Sequence, residues 1–312
     1  MFDPILAYWI VVFSSITSYG IYIILTEDEQ ASSFYVYGKS LAVTKKKGLF
    51  WRYFLVPKTY FSHFYILSVS IFIPSLVIAI LYYAPSKPGA QIHEAIDSLM
   101  KLSKDLVKIK VAQDLNQVVS LVFTLILMVV QCSRRLYECL FISVYSNNSR
   151  INLLHYVFGH SFYIFAALST LCPIVFSKTS ESFSVNDLFD NLLNKERALL
   201  FVLFVYTSHH QQKCHKILAN LRKDKTGNVI TEQHYVPSGG LFEYVSCPHF
   251  LLETILYFII ILMQKFSIFY WNVIFLLVLS TQTINAITNH RWYKMKYKDY
   301  PKVRRAIFPR LL

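Results

Sequence analysis

The fold class this sequence predicts is all-α: a multi-span integral membrane helical bundle of about seven transmembrane helices, with a cytosolic C-terminal tail. Three observations carry it. The 312 residues are 54% hydrophobic and 16% charged, with a mean hydropathy of +0.40, more apolar than a soluble domain of this length usually is. The apolar residues are gathered into segments rather than dispersed, as bilayer-crossing helices require. The 31 Lys and Arg are divided unevenly between the loops on the two sides of those segments, which is how a membrane protein sets its orientation. No internal repeat or low-complexity tract breaks the chain, so residues 1–312 are expected to form a single membrane-embedded domain.

Taken in order, segments 6–25, 64–84, 153–176 and 266–287 each reach the ~17 to 25 residues that a span needs. Segments 118–131, 198–207 and 248–263 are shorter and are expected to run on into polar helical turns that line a cavity. The first segment lacks a basic leader and a small-residue cleavage site, so it is expected to be a retained first span that doubles as the targeting signal. Between the second and third spans, Ile92, Ile96, Leu99, Leu106 and Ile109 recur at helical spacing, with Asp97, Lys101, Lys104 and Lys108 on other faces. That pattern reads as an amphipathic helix on the membrane surface.

Seven spans put the termini on opposite sides. With that alternation, 22 of the 31 Lys and Arg fall on the side of the tail and 9 on the other, so the tail is expected to be cytosolic. The net charge of +13 then follows largely from topology, and no nucleic-acid partner is implied. The sequon Asn147-Asn148-Ser149 falls on the cytosolic side, where it would go unused. Five cysteines without a CxxC pair imply no disulfide framework. Cys214-His215 and Cys247-Pro248-His249 match no common zinc spacing, so no metal is expected.

Eight glycines, none arranged as GxGxxG or GxxxxGK, exclude a Rossmann domain and a P-loop. Any nucleotide must sit against the bundle itself. The candidates are polar residues in or beside spans, because an ionisable group at membrane depth is costly unless it faces a cavity or a partner. Four clusters qualify: Phe61-Ser62-His63-Phe64-Tyr65, 131–138 with Gln131, Arg134, Arg135 and Glu138, 209–223 with three lysines and four histidine-or-arginine positions, and 239–253 with His249 and Glu253. Each has a plainer reading. Arg134 and Arg135 at a helix end are commonly snorkelling anchors, His249 and Glu253 at i,i+4 can satisfy each other, and the shared face of Gln211, His215, Leu218 and Arg222 fits a cavity wall or a solvated helix end. The tail 289–312 is both basic and aromatic, and its ordering of Asn289, His290, Tyr293, Asp299, Tyr300 and Arg304 suits a phosphate-bearing ligand better than a lipid anchor alone.

These residues carry a resemblance. YKDYPKVRRAIFP at 297–309, GGLFEYVSCPHFLLE at 239–253, HQQKCHKILANLRK at 210–223 and FSHFY at 61–65 together resemble the steroid 5α-reductase family, and within it the polyprenal-reducing members of dolichol synthesis. The resemblance runs from about residue 57 to the C-terminus. It implies a multi-pass endoplasmic-reticulum enzyme that uses NADPH to saturate a carbon–carbon double bond conjugated to a carbonyl, with a long-chain polyprenyl lipid as substrate and the C-terminal part, about 200–312, holding the cofactor. By the same resemblance, Gln211, His215, Asn220 and Arg222 line the nucleotide cavity with His249 and Glu253; Asn289, His290, Tyr293, Asp299, Tyr300 and Arg304 close it from the tail; and Arg134 and Arg135 meet the phosphates. Catalytic roles fall on His63, which would hold the carbonyl oxygen, on Tyr65, which would supply a proton, and on His290. Steroid-reducing members grip the steroid carbonyl with a glutamate and a tyrosine, where this chain has His63 and Gln131-Cys132, so a steroid substrate is disfavoured. The alternatives left open are a related enoyl or sterol reductase, a membrane methyltransferase using S-adenosylmethionine, and a transporter or non-catalytic lipid-binding membrane protein.

Overall fold

The computed structural model describes residues 2–26, 55–84, 86–103, 109–146, 149–177, 184–192 and 194–312. Nine α-helices occur among the described residues: α1 Pro4–Thr26, α2 Phe61–Tyr83, α3 Lys87–Ser103, α4 Leu115–Tyr137, α5 Leu153–Val175, α6 Val185–Leu192, α7 Lys195–Asn220, α8 Pro248–Met263 and α9 Phe269–Lys296. Five are long and apolar enough to cross a membrane: α1, α2 with the turn before it, α4 with the turn after it, α5 and α9. The apolar α8 has 16 residues, and α7 has 26 with many polar side chains. At about 1.5 Å rise per residue α7 still reaches ~39 Å, more than a hydrocarbon core is thick. The bundle is thus all-α, with five helices long and apolar enough to cross a membrane among the described residues and α7 and α8 packed beside them.

Local chemistry sets the helix starts. Asp114, Asn152 and Asn194 are N-caps whose side-chain oxygens accept from the backbone N–H of Gln117, Leu154 and Arg197, each at 2.8 Å, and Pro248 opens α8 at the first-turn position where its missing N–H costs nothing. The third and fifth apolar segments are extended at both ends, to Leu115–Tyr137 and Lys195–Asn220. The added turns carry Arg134, Arg135, Gln211 and His215, and they stay helical because those side chains find partners inside the protein rather than lipid.

α1 packs along α9, α2 sits between α4 and α5, and α8 sits between α7 and α9. Buried polar groups tie the helices across this core: the Trp9 indole donates to Ser169 Oγ at 2.7 Å, the Trp271 indole to Thr170 Oγ1 at 3.2 Å, and Thr17 meets Ser280 at 2.8 Å. Gly159 is required by close approach, since a Cβ there would lie 2.7 Å from the Phe64 ring. The amphipathic segment forms α3 and folds back on α2: Ile96 is buried, and His93 stacks on Tyr82 with ring centroids 4.1 Å apart. Leu106, Lys104 and Lys108 of that stripe, and Asn147 and Asn148 of the sequon, lie outside the described residues.

The two ends of the bundle are built differently. At the end far from the tail, the Tyr270 phenol donates to Asp3 at 2.6 Å and accepts from the Lys110 N–H at 2.8 Å. At the tail end, β1 Leu55–Pro57 pairs antiparallel with β2 Arg150–Asn152, Leu55 opposite Asn152, and clamps the starts of α2 and α5 together. The C-terminal segment returns to this end. Ser246 N–H donates to the Arg305 carbonyl at 2.8 Å and Cys247 N–H to that of Ala306 at 3.2 Å, so the tail is zipped to the 239–247 loop.

Candidate active site

A cavity of about 820 Å³ lies at the tail end of the bundle, between α1, α2, α5, α7, α8 and α9. Gln211, His215 and Leu218 of α7, and Arg222 just past its end, all stand on the cavity wall. Tyr65 of α2, Arg135 of α4, His249 and Glu253 of α8, and Asn289 and Tyr293 of α9 complete its polar side. Ile16, Phe158, Phe162, Leu277 and Val278 form an apolar side between α1, α5 and α9.

One buried network holds the polar side. α4 ends in a π-helical turn, Glu138–Ile142, where the Ser143 N–H donates to the Glu138 carbonyl at 2.8 Å; such turns are commonly functional because they re-aim side chains. Here the turn buries the Glu138 carboxylate completely, and Arg134, Arg135 and the His215 Nδ1–H, the last at 2.7 Å, all donate to it. Gln131 accepts from Arg134 at 3.0 Å and Ser208 at 3.2 Å, while its amide donates to Gln211 at 3.0 Å and Glu253 at 3.3 Å. Gln211 accepts from Arg134 and donates to Glu253 and, at 3.2 Å, to the His249 carbonyl. Both amide ends of Gln131 and of Gln211 are therefore occupied.

The snorkelling reading of Arg134 and Arg135 is thereby corrected. Both side chains turn inward at 13% exposure because a buried carboxylate awaits them. Glu253 likewise takes Gln131 and Gln211 as its amide partners. What the network presents to the cavity is Arg135 behind a phenol. The Arg135 Nε–H donates to the Tyr65 oxygen at 3.2 Å, with the guanidinium 5.1 Å from the ring centroid. Among the described residues the phenol's own hydrogen has no acceptor, so a ligand on this wall meets a donor polarised by a cation.

His63, two residues earlier, is off the cavity wall: its Nδ1 is 2.9 Å from the Tyr156 hydroxyl, and its ring stacks on Tyr60 at 4.5 Å. Asn220 and Asp299 are exposed, and neither lines the cavity. The remaining tail residues brace the loop instead. Ser246 Oγ donates to the Arg305 carbonyl at 3.1 Å and takes His290 Nδ1 and the Tyr300 hydroxyl at 2.6 Å each, which fills a hydroxyl's capacity. Arg304, 4% exposed, donates to the Pro237 carbonyl at 2.7 Å and reaches Glu243 at 3.4 Å. The Gly239 N–H first, and Arg304 second, hold the Glu243 carboxyl below its usual range. Gly239 and Gly240, at φ of 91° and 57°, give the loop a turn that side-chain-bearing residues resist. Of the six tail candidates, Asn289 and Tyr293, still on α9, reach the cavity.

Comparison with known proteins shows the family. Residues 160–312 match the family model described as 3-oxo-5-alpha-steroid 4-dehydrogenase. The chain is 34% identical over 261 residues to a Drosophila melanogaster protein named polyprenal reductase, covering 82% of this chain and 77% of that one. It is 35% identical over 279 residues to the Danio rerio polyprenal reductase, covering 88% and 85%, and 33% identical over 279 residues to the Homo sapiens polyprenal reductase, covering 88% and 83%. The chain belongs to the polyprenal reductase family. It is accordingly an oxidoreductase acting on carbon–carbon double bonds.

Several wall residues of this cavity stand outside the four clusters and the tail that the sequence singles out: Lys58, Tyr163, Gln233, His234, Tyr257 and Asn285. Asn285 was discoverable, lying one helical turn before Asn289 and accepting from it through its carbonyl at 2.7 Å. Tyr163 and Tyr257 were not, because an aromatic at helical spacing in an apolar span reads as core. His234 and Gln233 sit in a loop with no periodicity and are located by Arg222, which donates to the His234 ring at 2.7 Å and the Gln233 carbonyl at 3.3 Å.

Proposed function

We propose that this chain uses NADPH to reduce the α-isoprene double bond of polyprenal to dolichal, a step in dolichol synthesis for protein N-glycosylation, and does so in the endoplasmic-reticulum membrane with its tail in the cytosol. The observation that carries the reading is the Tyr65–Arg135 unit, a polarised hydroxyl on the wall of a cavity that is polar on one side and aromatic on the other.

The donor set fits a phosphate-bearing dinucleotide. Arg135, Arg222 and Lys58 stand on the wall, where among the described residues Glu253 is the one carboxylate, and guanidinium groups suit phosphate oxygens. When bound, a reduced nicotinamide supplies hydride to an electron-poor carbon. The β-carbon of an α,β-unsaturated aldehyde is such a carbon, since its added electron pair spreads onto the carbonyl oxygen as an enolate. An allylic alcohol offers no such sink. Tyr65 is assigned the carbonyl oxygen: its O–H donates to the oxygen as charge develops, and Arg135 stabilises the donor from behind. His63, off this wall and held by Tyr156, orients the start of α2. Ile16, Phe158 and Phe162 receive the isoprenoid.

The test is turnover of polyprenal and polyprenol by purified protein with NADPH. Reduction of the aldehyde alone is expected. Equal rates with the alcohol, without an aldehyde intermediate, would refute the assignment.

A further inference from the structure

Saturating the double bond needs a proton as well as a hydride, and Tyr65, occupied with the oxygen, cannot deliver both. Tyr163 of α5 lines the same cavity, and its ring centroid is 5.9 Å from that of Tyr65. Among the described residues its hydroxyl has no hydrogen-bond partner, although a partly buried phenol in a membrane bundle ordinarily has one. The α-carbon of an enal lies two bonds from the carbonyl oxygen. An acid that serves this carbon must therefore stand beside the group that holds the oxygen, and Tyr163 is the phenol that does.

We propose that Tyr163 is the general acid that protonates the α-carbon, an assignment that rests on the polyprenal reading above. Hydride from the reduced nicotinamide forms the new β-carbon–hydrogen bond, and the π pair moves to give an enolate whose oxygen Tyr65 holds. The enolate's carbon–carbon π pair then takes the Tyr163 proton: an O–H bond breaks, a C–H bond forms at the α-carbon, and the carbonyl is restored. The Tyr163 phenolate is returned to the phenol by a proton from water. The aldehyde is reduced by two electrons, and the nicotinamide is oxidised by two. Tyr257, a second cavity phenol without a partner among the described residues, is the competing acid.

The experiment is single-turnover reduction of polyprenal by wild type, Y163F and Y257F with NADPH in D2O, the product being trapped at once as the alcohol and its α-carbon deuterium assigned by face. Wild type is expected to place one deuterium on one face. Y163F should turn over about 10²-fold more slowly, the low end of what a general acid contributes, with deuterium on both faces, while NADPH still raises its melting temperature as in wild type. Should Y163F fail to fold, site-specific 3-fluorotyrosine at position 163 replaces it, and a changed solvent isotope effect on kcat is expected with NADPH binding intact. A Y163F rate within threefold of wild type with single-face labelling, loss of that labelling in Y257F instead, or an unchanged isotope effect in the fluorotyrosine protein would overturn the proposal. No turnover of polyprenal by wild type would instead overturn the reading beneath it.

Discussion

The two walls of the cavity are made by different means. The polar wall is a closed set of partners: Glu138, buried in a π turn, collects two guanidinium groups and an imidazole, and Gln131 and Gln211 spend their amides on each other, Arg134, Ser208, Glu253 and the His249 carbonyl. The aromatic wall of Phe158, Phe162 and Ile16 has no directional partner and is shaped by packing alone, including the Gly159 contact that lets α5 close on α2. A wall fixed by hydrogen bonds holds a charged ligand in one pose. A wall fixed by packing accepts a repeating hydrocarbon without reading its length. The difference teaches that most residues of the polar wall serve to aim a few, above all Arg135 and through it Tyr65.

Removing the centre of the polar wall has the largest expected effect. Glu138→Ala strands two buried cations, and the uncompensated charge costs about 3 to 5 kcal/mol; a melt in detergent should show a large loss of thermal stability together with loss of cofactor binding, and near-native melting would mean that the network is ornamental. Arg222→Met ranks next. The residue lines the wall, and losing a charge-assisted contact of ~1.5 to 3 kcal/mol should raise KM for NADPH about 10- to 100-fold in steady-state assays. Phe162→Ala is the mildest, raising KM for polyprenal about tenfold through ~1.5 kcal/mol of lost apolar contact, measured with a long-chain polyprenal.

The distinction between the walls was partly legible in the sequence. Periodicity and length located the spans, and 248–263 coincides with α8, because in lipid an apolar run has few alternatives to a helix. Helical spacing likewise placed Gln211, His215 and Arg222 on one face. What spacing could not give was the direction of single side chains near helix ends. His63 and Tyr65, two residues apart, fall on different faces of α2, but spacing could not say that His63 turns to Tyr156 and Tyr65 to the cavity. The tail is hard to read for a related reason: His290, Tyr300 and Arg304 look like ligand groups by type, and their partners here are the Ser246 hydroxyl and loop carbonyls, contacts that depend on the chain folding back on itself. The π turn that buries Glu138 leaves no mark in composition, so Arg134 and Arg135 read as anchors.

The division of labour between the walls is the central claim, and one measurement tests it most directly: KM for NADPH and KM for polyprenal, determined for both R222M and F162A. The account predicts a crossover, R222M impairing the cofactor with the lipid within about threefold of wild type, and F162A doing the reverse. Parallel increases in both constants for both variants would contradict it, since the cavity would then be one undivided site.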